Sequence, residues 1–138
     1  TDKPAVLISG GVGLTPMMSI LQGAADRQLT RQIHFIHGTR NRNTHAFKDD
    51  VITITKDFDN FNHRFFYSRN SVKSVDTEPG RITINSVKEI VGHEKDAEFY
   101  LCGPAQLMKD LYRELINWGV TPDNIVYEYF GPKRDITG

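Results

Sequence analysis

Apolar residues fall in two rhythms along this chain. Val6, Leu7 and Ile8 form an uninterrupted run, the pattern of a strand covered on both faces of its sheet. After it, Met17, Leu21, Ala24 and Ala25 recur at helical spacing and give one stripe that can lie on that sheet. Gln32 to His37 reads as a second strand. Phe47, Val51, Ile54 and Phe58 recur as a helix would, although Val51 to Thr55 is β-branched and alternates, which favours a strand. A helix is predicted there, because two parallel strands need a crossover between them. Asn62 to Tyr67 supplies a third strand, and Ser68 to Gly80, with no apolar period, reads as a surface loop. Arg81-Ile82-Thr83 opens a short helix with Val87, Ile90 and Val91 inward, Ser86 and Glu89 as a capping box and Gly92 as its stop. Ala97 to Cys102 is the fourth strand. Gly103-Pro104 leads into a helix bearing Leu107, Leu111, Leu115 and Trp118 on one stripe, closed by Gly119. Ile125 to Phe130 is the last strand, and the tail from Lys133 to Gly138 reads as disordered.

Strands alternating with helices predict an α/β architecture of three layers, a doubly wound five-stranded parallel sheet in the order 3-2-1-4-5. The winding then reverses between strands one and four. The carboxyl ends of those strands, Gly10 to Thr15 and Cys102 to Pro104, are where such a sheet takes its ligand.

Composition narrows the setting without changing that picture. The chain has 138 residues, 38% apolar and 25% charged, which suits one globular domain covering 1–138. Its formal net charge is zero, so neither nucleic acid nor an anionic membrane surface is an expected partner. A single Cys precludes an internal disulfide and fits a reducing, cytoplasmic compartment. No apolar run approaches the length of a membrane span. The absence of an initial Met and the immediate entry into a strand suggest a domain of something longer.

The candidate chemistry lies in the first turn. Gly10, Gly11 and Gly13 can take positive φ and let a ligand lie on the backbone. Thr15-Pro16 reads as N-cap and first helical position. Strand, glycine turn and helix start make an anion site, because unpaired N–H groups and the positive end of the helix dipole point at whatever rests there. The layout is Rossmann-like, yet the dinucleotide fingerprint is incomplete. Pro16 stands where a third Gly belongs, and the second strand ends in Gly38-Thr39-Arg40 instead of an Asp or Glu for a ribose. A tight strand-to-helix connection that binds nothing would also use glycines.

Three motifs in order, Gly10-Gly11-Val12-Gly13-Leu14-Thr15-Pro16, Tyr100-Leu101-Cys102-Gly103-Pro104 and Tyr127-Glu128-Tyr129-Phe130-Gly131-Pro132, resemble the nicotinamide-binding domain of the ferredoxin-NADP reductase family. The likeness covers essentially the whole chain. With His45-Ala46-Phe47 after the second strand, it is most similar to the C-terminal part of flavohemoglobins, which act as nitric oxide dioxygenases. The resemblance implies that the first turn holds the pyrophosphate of NAD(P)H and that Cys102 and Thr15 lie by the nicotinamide, which passes hydride from C4 to N5 of FAD. It implies that Tyr129, Phe130, Gly131 and Pro132 border the flavin and that Glu128 tunes the redox centre. Cofactors carry the redox chemistry, and the protein aligns them and excludes water.

In NADP-specific members, the resemblance continues, a Ser-Arg pair after the third strand and a later Arg grip the 2′-phosphate, a task suited to planar guanidinium groups. Ser68-Arg69 and Arg81 match and, weighed together with Arg40 after the second strand, give a lean to NADPH; solvated loop charges are the alternative reading. The family's Arg-x-Tyr-Ser flavin motif is absent, so the expected partner is an FAD-binding domain of the same parent, with a haem or iron–sulfur domain beyond it. No metal ligands are assigned. His34 and His37 read as strand residues, since no carboxylate or Cys accompanies them at ligand spacing. Other readings are an iron–sulfur flavoprotein reductase module, a nucleotide sensor without redox activity, and an α/β interaction domain. A buried strand-end thiol is the alternative for Cys102.

Overall fold

A computed structural model describes residues 3–11, 14–40, 48–69 and 77–130, and the side chains of 128–130 are left aside. Six strands form a parallel sheet: β1 (Ala5–Gly10), β2 (Ile33–Thr39), β3 (Phe61–Tyr67), β4 (Thr77–Pro79), β5 (Glu98–Pro104) and β6 (Ile125–Phe130). Their order is β4-β3-β2-β1-β5-β6. This corrects the expected five strands in the order 3-2-1-4-5. The sixth is β4, inside the segment read as loop, where Phe65 to Tyr67 pairs with Thr77 to Pro79. Three residues ending in Pro carry too little pattern to be read as a strand; at a sheet edge Pro is tolerated, since its missing N–H faces no neighbour.

Among the described residues four helices cover the sheet: α1 (Leu14–Asp26), α2 (Lys48–Asp57), α3 (Ile84–Ile90) and α4 (Ala105–Trp118). Alternation along β1 divides the core. Ala5 and Leu7 join Met17 and Leu21 of α1 and Val51 of α2 on one face. On the other, Val6 and Ile8 join Val87 of α3 and Met108, Leu111 and Leu115 of α4. β1 is buried along its whole length, as a central strand covered twice must be. Residues 48–57 are helical despite their β-branched run. Thr55, buried within it, satisfies its hydroxyl by donating to the Val51 carbonyl at 2.9 Å, one turn back.

Helix ends differ from expectation by small amounts. α1 begins at Leu14, so Thr15 and Pro16 lie within its first turn, where Pro sacrifices no intrahelical bond. At α3 the cap is Thr83, whose hydroxyl accepts the Ser86 N–H at 3.2 Å, in place of the expected Ser86-Glu89 box. Gly119 ends α4 in the left-handed region at φ 116°. The expected tail 133–138 lies outside the described residues.

Candidate functional site

The carboxyl ends of β1, β2, β3 and β5 open into a cleft of about 740 Å³ between α4 and the β4–α3 connection. That volume is within the range of small-molecule sites. Its floor exists because Gly10 and Gly38 lack side chains, and a third strand-end glycine, Gly103, sets how closely β1 and β5 approach. A Cβ on Gly103 would stand 3.1 Å from both the N and the O of Gly10, so the tips of β1 and β5 approach as closely as they do only with Gly at 103. A Cβ on Gly10 would meet the Leu107 Cδ2 at 2.6 Å, and one on Gly38 the Ile82 Cδ1 at 3.1 Å. Gly10 and Gly38 are register partners, so Leu107 and Ile82 rest side by side over neighbouring strand tips. Gly11 has φ 53°, is exposed, and has open space where a Cβ would stand. Backbone is therefore presented directly to the cleft.

The rim is tied together by main-chain bonds. Ser68 and Arg69 donate N–H groups to the carbonyls of Thr39 and Arg40 at 3.0 and 2.9 Å, and Gly80 donates to the Tyr67 carbonyl at 3.1 Å. This brings Arg40, Ser68 and Arg81, from three separate segments, to one end of the cleft. The α4 wall carries the opposite sign, with Asp110 and Glu114 facing in. Asp110 accepts from Gln106 Nε2 at 2.9 Å and from Arg113 at 3.1 Å. An anionic group is thereby directed to the arginine side and away from α4.

Of the residues predicted from sequence, Gly10, Gly11, Leu14, Thr15, Arg40, Ser68, Arg81 and Pro104 line the cleft. Others do not. Pro16, Arg69 and Gly103 are absent from the lining, and Cys102 is fully buried on the α1/α2 face, in register with Ser9. Val12, Gly13, Gly131 and Pro132 lie outside the described residues. Glu128, Tyr129 and Phe130 continue β6 in register with Cys102, Gly103 and Pro104, which puts their backbone beside the end of β5. Sequence reasoning missed Gln106, Asp110 and Glu114, whose spacing of four on α4, one position ahead of the leucine stripe, was the available signal. It also missed Ile82 and Leu107 as floor residues. Their placement over glycines depends on long-range packing that no local pattern encodes.

A parallel sheet wrapped on both faces, with a glycine-floored cleft where the winding reverses, is the architecture of the doubly wound α/β nucleotide-binding class. Residues 7–113 match the profile of the oxidoreductase NAD-binding domain family, and the chain belongs to that family. It is 38% identical over 131 residues to a flavohemoprotein of Xylella fastidiosa (strain Temecula1), covering 95% of this chain and 32% of that protein. A flavohemoprotein of Bacillus cereus is 37% identical over 137 residues, covering 96% of this chain and 34% of that protein. The chain thus spans about a third of the length of these relatives. Among solved structures, the flavohem-like FAD/NAD-binding domain of nitric oxide dioxygenase from Vibrio cholerae superposes with a TM-score of 0.83 at 27% identity, covering 96% of this chain and 53% of that one. Among the described residues no helix is long and apolar enough to cross a membrane.

Proposed function

We propose that this chain is the NAD(P)H module of a flavin-dependent oxidoreductase of the flavohemoprotein kind. The observation that carries the reading is the cleft itself, where glycine backbone at the tips of β1 and β2 meets Arg40, Ser68 and Arg81. The residues present fit a dinucleotide. Gly11 and the start of α1 offer unobstructed backbone to a pyrophosphate, and Ile82, Leu107 and Leu111 offer apolar surface to a base. The Arg40–Ser68–Arg81 group supports a 2′-phosphate and so favours NADPH, with Arg69 acting only through its backbone bond to Arg40.

When bound, the nicotinamide supplies a hydride for an FAD held mainly by a separate domain of the same protein. This chain's own part is to fix the dinucleotide and keep water from its reactive end. In this reading Thr15 and Cys102 border the nicotinamide, Cys102 from within the sheet, and Glu128, Tyr129, Phe130, Gly131 and Pro132 form the edge that meets the flavin domain. Onward transfer to haem, as the relatives' name suggests, or to an iron–sulfur centre belongs to domains outside this chain. A cytoplasmic location belongs to the same reading and rests on the single Cys.

Calorimetric titration with NADP+, NAD+ and 2′,5′-ADP, on this chain and on the full-length protein, tests the reading. Binding of NADP+ and 2′,5′-ADP is expected, with Arg81→Ala weakening both by about tenfold while NAD+ changes little, the size of one charge-assisted contact. Failure of the full-length protein to bind any of the three overturns it.

A further inference from the structure

Directly beneath the cleft floor, on the sheet's other face, lies a row in which the nucleotide reading gives a role to Cys102 and none to its two polar neighbours. Ser9, His37 and Cys102 occupy adjacent register positions on β1, β2 and β5, each the residue before a glycine at its strand's tip. All three are essentially sealed from solvent, at 0%, 1% and 0% exposure. The Ser9 Oγ and His37 Nδ1 are 2.7 Å apart, a hydrogen bond between neighbouring strands. Leu14 and Met17 of α1 pack in the same cluster as Cys102, so the row sits under the first turn of the helix whose Leu14 and Thr15 line the cleft.

The rest of β1 is apolar from Ala5 to Ile8. An apolar pair at 9 and 37 would bury without any desolvation cost, whereas a hydroxyl and an imidazole need each other. What the polar pair adds is direction: it fixes the lateral and axial positions of two strand tips at the level where Gly10 and Gly38 turn to the opposite face. We propose that the Ser9–His37 hydrogen bond is a positioning element, holding the tips of β1 and β2 so that the glycine floor and the start of α1 are set for the nucleotide. Neither residue touches the ligand. This inference rests on the nucleotide reading for its ligand, but its structural half does not.

The test uses the full-length protein and four variants: Ser9→Ala, His37→Asn, His37→Gln and the double Ser9→Ala/His37→Phe. Asn carries a donor and an acceptor near the position of Nδ1, so it can keep the bond in either tautomer; Gln places its amide near Nε2 and cannot. Dissociation constants for NADP+ and NAD+ are measured beside hydrogen exchange of the segment 10–15 and thermal stability. Ser9→Ala and His37→Gln are expected to weaken binding by about tenfold and to speed exchange at 10–15, while His37→Asn stays within about twofold of wild type, as loss or retention of one hydrogen bond implies. The double variant is expected to keep its thermal stability and lose affinity. Affinity that follows thermal stability across all four variants, or that is the same in Asn and Gln, overturns the proposal. If wild type binds neither nucleotide, the nucleotide reading falls, and the exchange arm decides alone: faster exchange in Gln but not in Asn upholds the positioning role, and equal exchange removes it.

Discussion

The tips of β1 and β2 present two different surfaces one residue apart. At Gly10 and Gly38 the face toward α3 and α4 has no side chains of its own and is floored by Leu107 and Ile82, which leaves a cleft. At Ser9 and His37 the face toward α1 and α2 is filled, polar and closed by a 2.7 Å hydrogen bond. Period-two alternation makes this division possible: neighbouring residues point to opposite faces, so one sequence step separates cleft from core. The closed face gives the open one its shape.

Substitutions that break this division should rank by how rigid the opposing atoms are. The largest effect is expected on the closed face at Leu21, which is fully buried under β1. Leu21→Ala should cost about 2–5 kcal/mol by lost burial and an unfilled cavity, read from denaturant unfolding. Next is Gly103→Ala. Its Cβ would stand 3.1 Å from backbone atoms of Gly10, which can move only by parting β1 from β5. A loss of about 1–3 kcal/mol is expected together with weaker nucleotide binding. Gly10→Ala sharpens the contrast, because its new Cβ crowds the end of the Leu107 side chain at 2.6 Å and otherwise meets the Pro104 Cδ at an ordinary 3.5 Å, with no backbone atom in the way. The Leu107 methyl can swing away into the cleft, so stability should change by less than about 1 kcal/mol while affinity falls several-fold. Equal stability losses for the two glycine variants would refute the distinction between backbone and side-chain neighbours.

The smallest expected effect lies away from the cleft. Burial holds the His34 pKa below its ordinary 6.5, against the opposing influence of its 3.0 Å hydrogen bond to Asn62. The unfolded chain therefore takes up this proton first as the solution is acidified. Stability contributed by neutral His34 is present above pH 6.5 and is lost as pH falls through the lower folded value. Unfolding of His34→Gln should lack that share of the slope, whereas an unchanged pH profile would show that His34 titrates alike in both states.

Much of this division was written locally. Val6 to Ile8 and the leucine stripe of α4 carry the periods that a central strand and a covering helix require, and the glycines after β1 allow the φ of 53° found at Gly11. Helix 48–57 was decided against its β-branched composition by the need for a crossover, a case of topology outweighing propensity. What could not be read depends on partners distant in sequence. β4 exists only because Phe65 to Tyr67 is there to pair with it. Leu107 and Ile82 become cleft floor only once α4 and the β4–α3 connection cross glycine tips. Cys102, placed at the reactive end by its motif, stands by strand alternation on the closed face, where a linear motif cannot distinguish in from out.

The most direct measurement is hydrogen exchange of the full-length protein with and without saturating NADP+. The account predicts added protection at the turn after β1, at the tip of β2 and at 80–83, with α2 unchanged. Protection confined to the α1/α2 face, or none anywhere despite measured binding, would contradict it.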